Sequence, residues 1–550
     1  MEITPGRRAT VDDSATSKKD TQFNQLSIEE PESGNSRTQL RTFAIMTGLC
    51  ATVFLAALNQ TSVATAIPTI TRELNSASGY AWISAAYFLA NAAAAPIWSK
   101  LSDIWGRKLI LLTAVALYFV FSIICATAIT MQMLIIGRAL QGVAGGGLLQ
   151  IVYATISDIF SMRARTFYLG LLQLMWATAG GLGPLVGGIF AQYVTWRWIF
   201  WINLPIAFIV FVVLWIFLDV HDPKTGIIPG LQAIDWFGIF SLLACMVTFL
   251  LGLNFGRNNA AWSSPLVICL LVTGVAMATV FVFFEKKARS PIIPMELFGN
   301  MSNVGTMVIG FTHDWAVFSI EFYLPLFFQA VKSATPLSSG IRILPITLTQ
   351  SLVGVAAGII VHRSGRYLEL IWVGVALLAL GNGLYINLDV STALGPIIAF
   401  QVVASTGAGL LFQPPLIALQ ALVPPHKTAS ATATLGLVRI LSISIAIVAG
   451  HVIFASGMNS HNSELIAQGL PRDLAESFAG AAAAANVELI GAVEDLGLRH
   501  AVQEAFADSL RYIWILCTCT SVCAVVASAF VSRQVLSREH VEYRTGLSNE

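Results

Sequence analysis

Five ionisable side chains interrupt long apolar stretches of this sequence: Arg138, His313, Asp314, Glu321 and Arg439. A charged group inside an apolar helix is costly and needs a partner or an aqueous path, so each of these is a functional candidate. Asp314 and Glu321 are seven residues apart, which places them two turns apart on one helix face. Carboxyl and imidazole groups exchange protons, so the set predicts proton transfer. Two alternatives are structural hydrogen bonding for Arg138 and contact with lipid headgroups for Glu321.

A second set of polar residues, five amides and one tryptophan, also lies in apolar stretches. Its members are Asn59, Gln60, Gln141, Gln173, Trp176 and Gln350. A cavity with mostly apolar walls and few directional hydrogen bonds is typical of a site that binds varied organic molecules. These residues are therefore candidates for lining a substrate cavity.

Other chemistries are not indicated by the sequence. The seven cysteines all fall in apolar runs, so neither a disulfide framework nor a metal site is expected. A phosphate-binding GxxxxGK[ST] loop is missing, and neither HExxH nor GxSxG occurs in the apolar stretches. We therefore expect no cofactor and no enzymatic activity.

The elements that carry these residues are predicted to be transmembrane helices. Of the 550 residues, 56% are hydrophobic and 11% are charged, against about 25% charged in soluble proteins. The formal net charge of +1 gives no indication of a nucleic-acid partner. A spanning helix needs about 20 mostly apolar residues. Fourteen segments qualify: 43–67, 80–99, 109–129, 131–152, 167–190, 198–218, 236–256, 264–284, 303–328, 340–361, 368–388, 394–420, 430–455 and 510–532. If residues 236–284 do not form two membrane spans, the count is twelve instead of fourteen.

The distribution of Lys and Arg predicts the orientation of these spans. One set of alternate short loops holds most of the basic residues, among them Lys100, Arg107, Lys108, Arg363 and Arg366. Short cytoplasmic loops carry this excess, so that set and both termini are predicted to be cytosolic. The predicted organisation begins with a disordered tail 1–40, without a cleaved leader, and a six-helix bundle 41–220. Two inserted helices 234–286 follow. A second six-helix bundle 300–533 contains an extracellular loop 457–509, and a tail 534–550 ends the chain.

An internal repeat relates the two predicted bundles. The loop after the second span, Ser99–Lys108, and the loop after the tenth, Gly358–Tyr367, share a small residue, a polar residue four positions later and Gly-Arg three beyond that. The Gly-Arg pairs are Gly106–Arg107 and Gly365–Arg366. Duplicated bundles of this kind build alternating access in many transporters.

Several longer motifs give the sequence a family resemblance. They are Ser99–Lys108, Arg138 with Gln141 and Gly142, Gly183–Pro184 with Gly187 and Gly188, Trp196–Pro205, Ser290–Phe298 and Tyr323–Gln329. With these motifs the sequence resembles the fourteen-spanning drug:proton antiporters of the major facilitator superfamily, in their fungal multidrug or toxin efflux branch. The resemblance implies an all-α major facilitator fold of two six-helix bundles plus two inserted central helices.

The resemblance also implies roles for individual residues. It makes Asp103, Gly106, Arg107, Asp158, Gly365 and Arg366 a conformational latch, although ordinary topology-setting charges are an alternative. It makes Ala179, Gly183, Pro184, Gly187 and Gly188 the antiporter motif. The alternative is that these small residues only allow close helix packing. It places Arg138 on the proton or substrate path. The family commonly has an acid at the position of Asn59, and an amide cannot take up a proton.

The function implied is proton-coupled efflux of a hydrophobic or amphipathic small molecule, such as a toxin, drug or secondary metabolite. Uptake of a siderophore or nutrient is the alternative within transport, and a transport-inactive sensor is the alternative of another class. The expected partners are the small molecule, protons and the lipid bilayer, with the chain acting as a monomer. The plasma membrane is the expected location, with the vacuolar membrane as the alternative.

Overall fold

The computed structural model describes residues 39–74, 79–220, 226, 228, 236–256, 262–287, 293, 295–424, 427–480, 482–534 and 536. The predicted tails therefore lie almost entirely outside the described residues. The contacts within the chain divide it into a short unit, Met1–Ala44, and a large unit, Ile45–Glu550. Of the short unit, the structure describes only residues 39–44. The features discussed below belong to the large unit.

Six long helices make up the described residues before position 221. They are α1 Gln39–Glu73, α2 Gly79–Trp105, α3 Arg107–Ala126, α4 Met131–Ile159, α5 Met162–Tyr193 and α6, which consists of Trp198–Trp201 and Asn203–Phe217. Gly106 separates α2 from α3 with a φ of 87°, a positive value that glycine adopts readily. Thr130 and Ser161 cap α4 and α5 by accepting hydrogen bonds from Met133 N and Ala164 N.

Eight further long helices follow in the described part of the chain. They are α7 Trp236–Phe255, α8 Pro265–Glu285, α9 Met301–Ala330, α10 Pro336–Ser364, α11 Leu368–Tyr385, α12 (Leu394–Leu411 and Pro414–Ala421), α13 Thr428–Ala467 and α14 Leu496–Ser528. Gly365 ends α10 with a φ of 71°, so both glycines of the repeated loop have positive φ. The repeat predicted from sequence thus has a common backbone feature.

Twelve of these helices are long and apolar enough to cross a membrane. The two exceptions are α2, whose apolar run is limited to Trp82–Ala95, and α9, whose hydropathy is lowered by His313, Asp314 and Glu321. Each of the fourteen predicted spans nevertheless overlaps one long helix of the described chain.

The helices pack as two bundles. In the first, α4 packs against α2 and α3, and α3 also packs against α6; in the second, α14 packs against α9, α11 and α13. The main connections between the bundles are α5 with α10 and α2 with α13, while α7 and α8 pack mainly against each other. Glycine permits the closest approaches: a Cβ on Gly142 of α4 would overlap the carbonyl of Tyr87 on α2.

The segment between the last two predicted spans differs from expectation. The sequence predicts a loop over residues 457–509, but α13 continues to Ala467 and α14 begins at Leu496. Only Ala482–Ala485 of the described Ala-rich stretch is helical. Leu470, Phe478, Ile490 and Phe506 belong to the same hydrophobic core as residues of the second bundle such as Phe327. Because the apolar side chains can be buried there, the helices need not end at a membrane boundary.

Candidate functional site

The first loop motif forms a buried ionic cluster, which we call the latch. Arg107 is fully buried; its Nη1 lies 2.5 Å from Asp103 Oδ1 and its Nε lies 2.7 Å from Asp158 Oδ2. Nη1 also donates to Ser102 Oγ at 2.5 Å. The latch therefore joins the end of α2, the start of α3 and the end of α4.

The second loop motif has a different environment. Arg366 is exposed, its backbone N–H donates to Ser364 Oγ, and no acidic partner is found for it among the described residues. The structure thus brings Asp103, Arg107 and Asp158 together around Gly106, but does not bring a described carboxylate to Arg366.

Arg138 is the centre of a buried polar cluster in the first bundle. The side chain is 1% exposed, and Nη1 donates to Asn59 Oδ1 at 2.5 Å and to Gln141 Oε1 at 2.7 Å. Nε donates to the carbonyl of Ile83 at 3.1 Å, and the guanidinium lies 4.3 Å from the ring centroid of Tyr87. All of these partners are uncharged.

The cluster around Arg138 extends through further hydrogen bonds. Gln141 Nε2 donates to Ser122 Oγ at 2.9 Å, and Gln60 Nε2 donates to Tyr87 Oη at 3.3 Å. Three of the predicted cavity residues, Asn59, Gln60 and Gln141, therefore belong to one network. Tyr87 and Ser122 carry no sequence signal of this role, because an isolated hydroxyl in an apolar helix is common.

A second buried arginine site lies in the other bundle. Arg439 of α13 donates from Nε to Asp314 Oδ2 at 2.6 Å and from Nη2 to Asp314 Oδ1 at 3.0 Å. His313 Nδ1 lies 2.7 Å from Asp314 Oδ1, and His313 Nε2 lies 3.0 Å from the carbonyl oxygen of Ala408. Three of the predicted proton-coupling residues thus form one contiguous site, which we call the His–Asp–Arg site.

Glu321 is not part of that site. It is half-buried, lies two turns along α9 from Asp314, and makes no hydrogen bond within the described residues. The structure therefore divides the predicted proton-coupling residues into three places: Arg138, the His–Asp–Arg site and Glu321.

A break in α12 contributes backbone acceptors to the His–Asp–Arg site. The helix is interrupted between Leu411 and Pro414, and Pro414 and Pro415 lack the N–H groups that a continuous helix would use there. Arg439 Nη1 donates to the carbonyl of Phe412 at 3.4 Å, within this break. Interrupted spans are typical of transporter binding sites. The Gln-Pro-Pro run at 413–415 is the sequence signal for this feature.

The remaining predicted cavity residues lie near the contact between α5 and α10. The side chain of Gln173 is buried and lies beside Gly354, where an added Cβ would be 3.0 Å from Gln173 Cγ. Gln350 lines a cavity of about 10 Å³ together with Tyr385 and Ser405. Trp176 packs with a small cluster that contains Ala57 and Ala179. The six predicted cavity residues therefore do not form one wall, because Gln173, Trp176 and Gln350 each have different neighbours.

The glycine-rich motif of α5 contacts α1 and α10. The hydroxyl of Thr61 donates to the carbonyl of Ala179 at 2.9 Å, and a Cβ on Gly183 would overlap that hydroxyl. Pro184 lies against Gly340 of α10. Gly187 is buried, whereas Gly188 has no neighbour that would meet a Cβ. The small side chains thus allow close packing of α5 against α1.

A polar contact between the bundles is not predicted by the sequence. Arg165 of α5 donates to Gln420 Oε1 of α12 at 2.6 Å, and Gln420 Nε2 donates to Ser157 Oγ of α4 at 3.2 Å. Gln420 Nε2 also donates to Thr432 Oγ1 of α13 at 2.8 Å. In the sequence Arg165 is one loop charge among several, and nothing pairs it with Gln420. The contact lies at the same end of the bundles as the latch.

Sequence comparison identifies the family of this chain. Residues 49–233 match the profile described as Major Facilitator Superfamily. The chain is 41% identical to the efflux pump dotC of Dothistroma septosporum over 504 residues, which cover 92% of this chain and 86% of that protein. The chain belongs to the major facilitator superfamily. The similarity to dotC places it with fungal efflux pumps, as the motifs predicted.

Other relatives and solved structures agree with this assignment. The MFS-type transporter ppz2 of Metarhizium majus is 38% identical over 526 residues, covering 95% of this chain and 90% of that protein. A crystal structure of the human organic anion transporter MFSD10 (TETRAN) has a TM-score of 0.56 at 13% identity and covers 87% of this chain and 99% of that one. The structural likeness shows the fold alone. The predicted all-α major facilitator fold is confirmed, and the chain is a membrane transporter and not an enzyme.

Proposed function

We propose that this transporter exports hydrophobic or amphipathic small molecules in exchange for protons, by alternating access between its two bundles. The observation that carries the proposal is the hydrogen-bond pattern of His313. The direction of transport is supported by the fungal relatives, which are named as efflux pumps.

The contacts of His313 support an exchangeable proton, because both ring nitrogens lie beside hydrogen-bond acceptors. A neutral imidazole carries one N–H group. The carbonyl of Ala408 only accepts hydrogen bonds, so it takes the N–H of Nε2. The 2.7 Å contact between Nδ1 and Asp314 Oδ1 then needs a second proton, because two acceptors would repel each other. This proton lies between the His313 ring and a carboxylate that also accepts hydrogen bonds from Arg439.

Loss of that proton would change the packing of three helices. Deprotonated Nδ1 and Asp314 Oδ1 would both present lone pairs, so the contact between them would lengthen. Asp314 would keep its two hydrogen bonds from Arg439 on α13, while His313 would be free to shift against Ala408 on α12. Proton release is thereby linked to the arrangement of α9, α12 and α13, as alternating access requires.

The orientation supports a conformation that is closed toward the cytosol. The latch and the Arg165–Gln420 contact lie at the same end of the bundles as the basic loops. Short basic loops are cytoplasmic in membrane proteins. We infer that these contacts hold the bundles together on the cytosolic side, and that they separate when the transporter opens inward.

The test is substrate-evoked proton flux in liposomes that contain the full-length protein. A panel of fluorescent amphipathic acids, esters and amines is added under an imposed pH gradient, and an internal pH dye reports proton movement. Asp314→Asn and His313→Gln should each reduce the flux by about tenfold or more, since general acid–base groups contribute effects of that size or larger. Asp473→Asn, an exposed carboxylate on a short surface helix, is the matched control. Normal flux in both His–Asp–Arg variants would refute proton coupling at this site.

A further inference from the structure

The first bundle contains a buried positive charge without an acidic partner. The described acids of residues 45–220 are Glu73, Asp103, Asp158 and Asp219, and all four lie at helix ends or just beyond them. Asp103 and Asp158 pair with Arg107, and Glu73 pairs with Arg197. The contacts of Arg138 are two amide oxygens, one carbonyl and two aromatic rings, all of them neutral. The charge of Arg138 is therefore not balanced within the described bundle.

Two hydrogen-bond donors beside this charge lack acceptors. Asn59 is fully buried, and its Nδ2 atom has no hydrogen-bond partner within the described residues. The three hydrogen bonds of Arg138 use Nε and Nη1, which leaves Nη2 without an acceptor in the same part of the chain. Buried donors are almost always satisfied in folded proteins, so the unfilled Asn59 donor next to a cation indicates a missing acceptor.

We propose that the Arg138–Asn59 pair binds one anionic group. Such a group would accept hydrogen bonds from Arg138 Nη2 and Asn59 Nδ2 and would supply the missing negative charge. Two sources have this chemistry: the carboxylate of a transported amphipathic acid, which rests on the proposed function, and a free halide ion. A neutral carbonyl or a water molecule would satisfy the donors but not the charge.

The position of the pair fits a ligand that is exchanged during transport. Asn59 is on α1, the helix that packs against the glycine-rich motif of α5, and its neighbour Gln60 is only half-buried. Tyr87 contacts both Gln60 and Arg138. A ligand would enter past Gln60 and Tyr87, so the pair would open when α1 moves relative to α2 and α5.

The sharpest variant is Asn59→Asp. The new carboxylate would take the place of the Asn59 amide beside Arg138, and it would supply an internal counter-charge in the way that Asp314 does for Arg439. We expect the variant to fold, because it removes an unbalanced charge without changing side-chain size. It should lose affinity for external anions by about tenfold or more, the size of effect typical of charge-assisted hydrogen bonds.

The experiment measures equilibrium binding to the purified full-length protein without a pH gradient. The probes are 9-anthracenecarboxylate, its methyl ester and sodium chloride; fluorescence reports the first two, and the shift in unfolding temperature reports chloride. The wild type should bind the acid at least about tenfold more tightly than the ester, and Asn59→Asp should remove this difference. Asn387→Asp, which adds the same charge in an exposed loop, is the control and should bind as the wild type does.

The outcomes distinguish a carboxylate from a halide as the bound anion, and they test the anion site separately from proton coupling. Acid binding that is lost in Asn59→Asp supports the carboxylate source, and chloride stabilisation that is lost in Asn59→Asp supports the halide source. If neither probe distinguishes the wild type from Asn59→Asp, the anion site is overturned. Because no gradient is present, this result is independent of proton coupling: Asp314→Asn should bind the acid normally even if it no longer moves protons.

Discussion

The two bundles each bury one arginine, but they balance its charge differently. In the second bundle Arg439 donates to both carboxylate oxygens of Asp314, and in the first bundle Arg138 donates only to neutral groups. The first helix of each bundle provides the main partner, Asn59 on α1 and Asp314 on α9. The second bundle thus pairs its arginine with a carboxylate, while the first surrounds its arginine with neutral groups.

The two arginines also differ in their exposure to solvent. Arg439 is partly exposed, whereas Arg138 is buried. A group that exchanges protons needs a path to water, while a group that holds a charge for a ligand is more effective in a dry environment. Under the two proposals made above, the duplicated bundles divide two tasks: proton exchange in the second and anion binding in the first.

The largest expected effect is on the stability of the second bundle. Arg439→Met removes the two hydrogen bonds that Arg439 donates to Asp314 and should lower the free energy of unfolding by about 3–5 kcal/mol, as expected for a broken buried ion pair. Arg138→Met leaves only neutral acceptors without a donor and should cost about 1–3 kcal/mol. Unfolding in mixed detergent micelles, followed by tryptophan fluorescence, compares the two. An equal or larger loss for Arg138→Met would contradict the difference in charge balance.

The sequence was sufficient for the helices and for part of the sites. The apolar runs located every long helix of the described chain, and the rarity of charge in those runs singled out Arg138, Asp314 and Arg439. Their partners could not be found in this way, since Asp314 and Arg439 are 125 positions apart. Helix faces were also hard to assign, because the lipid-facing and core-facing sides of a spanning helix are both apolar. On α8, for example, Val267 is buried and Val272 is exposed, although the two residues are of the same type.

The polar contacts between bundles were the least predictable part. Arg165 and Gln420 are an ordinary loop charge and an ordinary amide until the fold brings α5 beside α12. The break at Pro414 was visible in the sequence, but its use by Arg439 depends on how α13 packs against that break. Interactions of this kind follow from tertiary packing and not from local pattern.

The two copies of the loop motif give a second comparison. Arg107→Gln should slow transport by about tenfold, a factor that corresponds to about 1.4 kcal/mol, because Asp103 and Asp158 would lose their shared cation. Arg366→Gln should change the rate by less than about twofold, since exposed charges contribute little. Initial rates of dye efflux from cells that express equal amounts of each variant measure this. A similar loss in both variants would mean that the latch is not confined to the first copy.

The contact between Arg165 and Gln420 should affect the balance between conformations. Gln420→Ala removes the acceptor of Arg165 Nη1 and two hydrogen bonds to Ser157 and Thr432. We expect a shift of about 1–2 kcal/mol toward states in which the bundles separate at the latch end. Hydrogen exchange of peptides covering 157–165 and 414–424 should become faster, while peptides near Thr61 should not change. Uniform acceleration would instead indicate general loss of stability.

The smallest expected effect is at the opposite end of the first bundle. Glu73 accepts hydrogen bonds from Arg197 Nη1 at 2.6 Å and Trp196 Nε1 at 2.8 Å, and the bond from Arg197 holds the pKa of this carboxyl below its ordinary value. A lowered pKa contributes stability above the pKa of the unfolded chain, and this contribution is lost as the pH falls through the folded value. Because Glu73 and Arg197 are partly exposed, Glu73→Gln should cost less than about 1 kcal/mol at pH 7.

The pH dependence of this small effect distinguishes the ion pair from the packing around it. Unfolding temperatures measured from pH 7 downward should converge for the wild type and Glu73→Gln, because protonated Glu73 no longer carries the charge that Arg197 stabilises. A difference that does not depend on pH would show that Trp196 packing, and not the ion pair, joins these helix ends. The exposed pair would then differ in kind, and not only in strength, from the buried ion pairs of the latch.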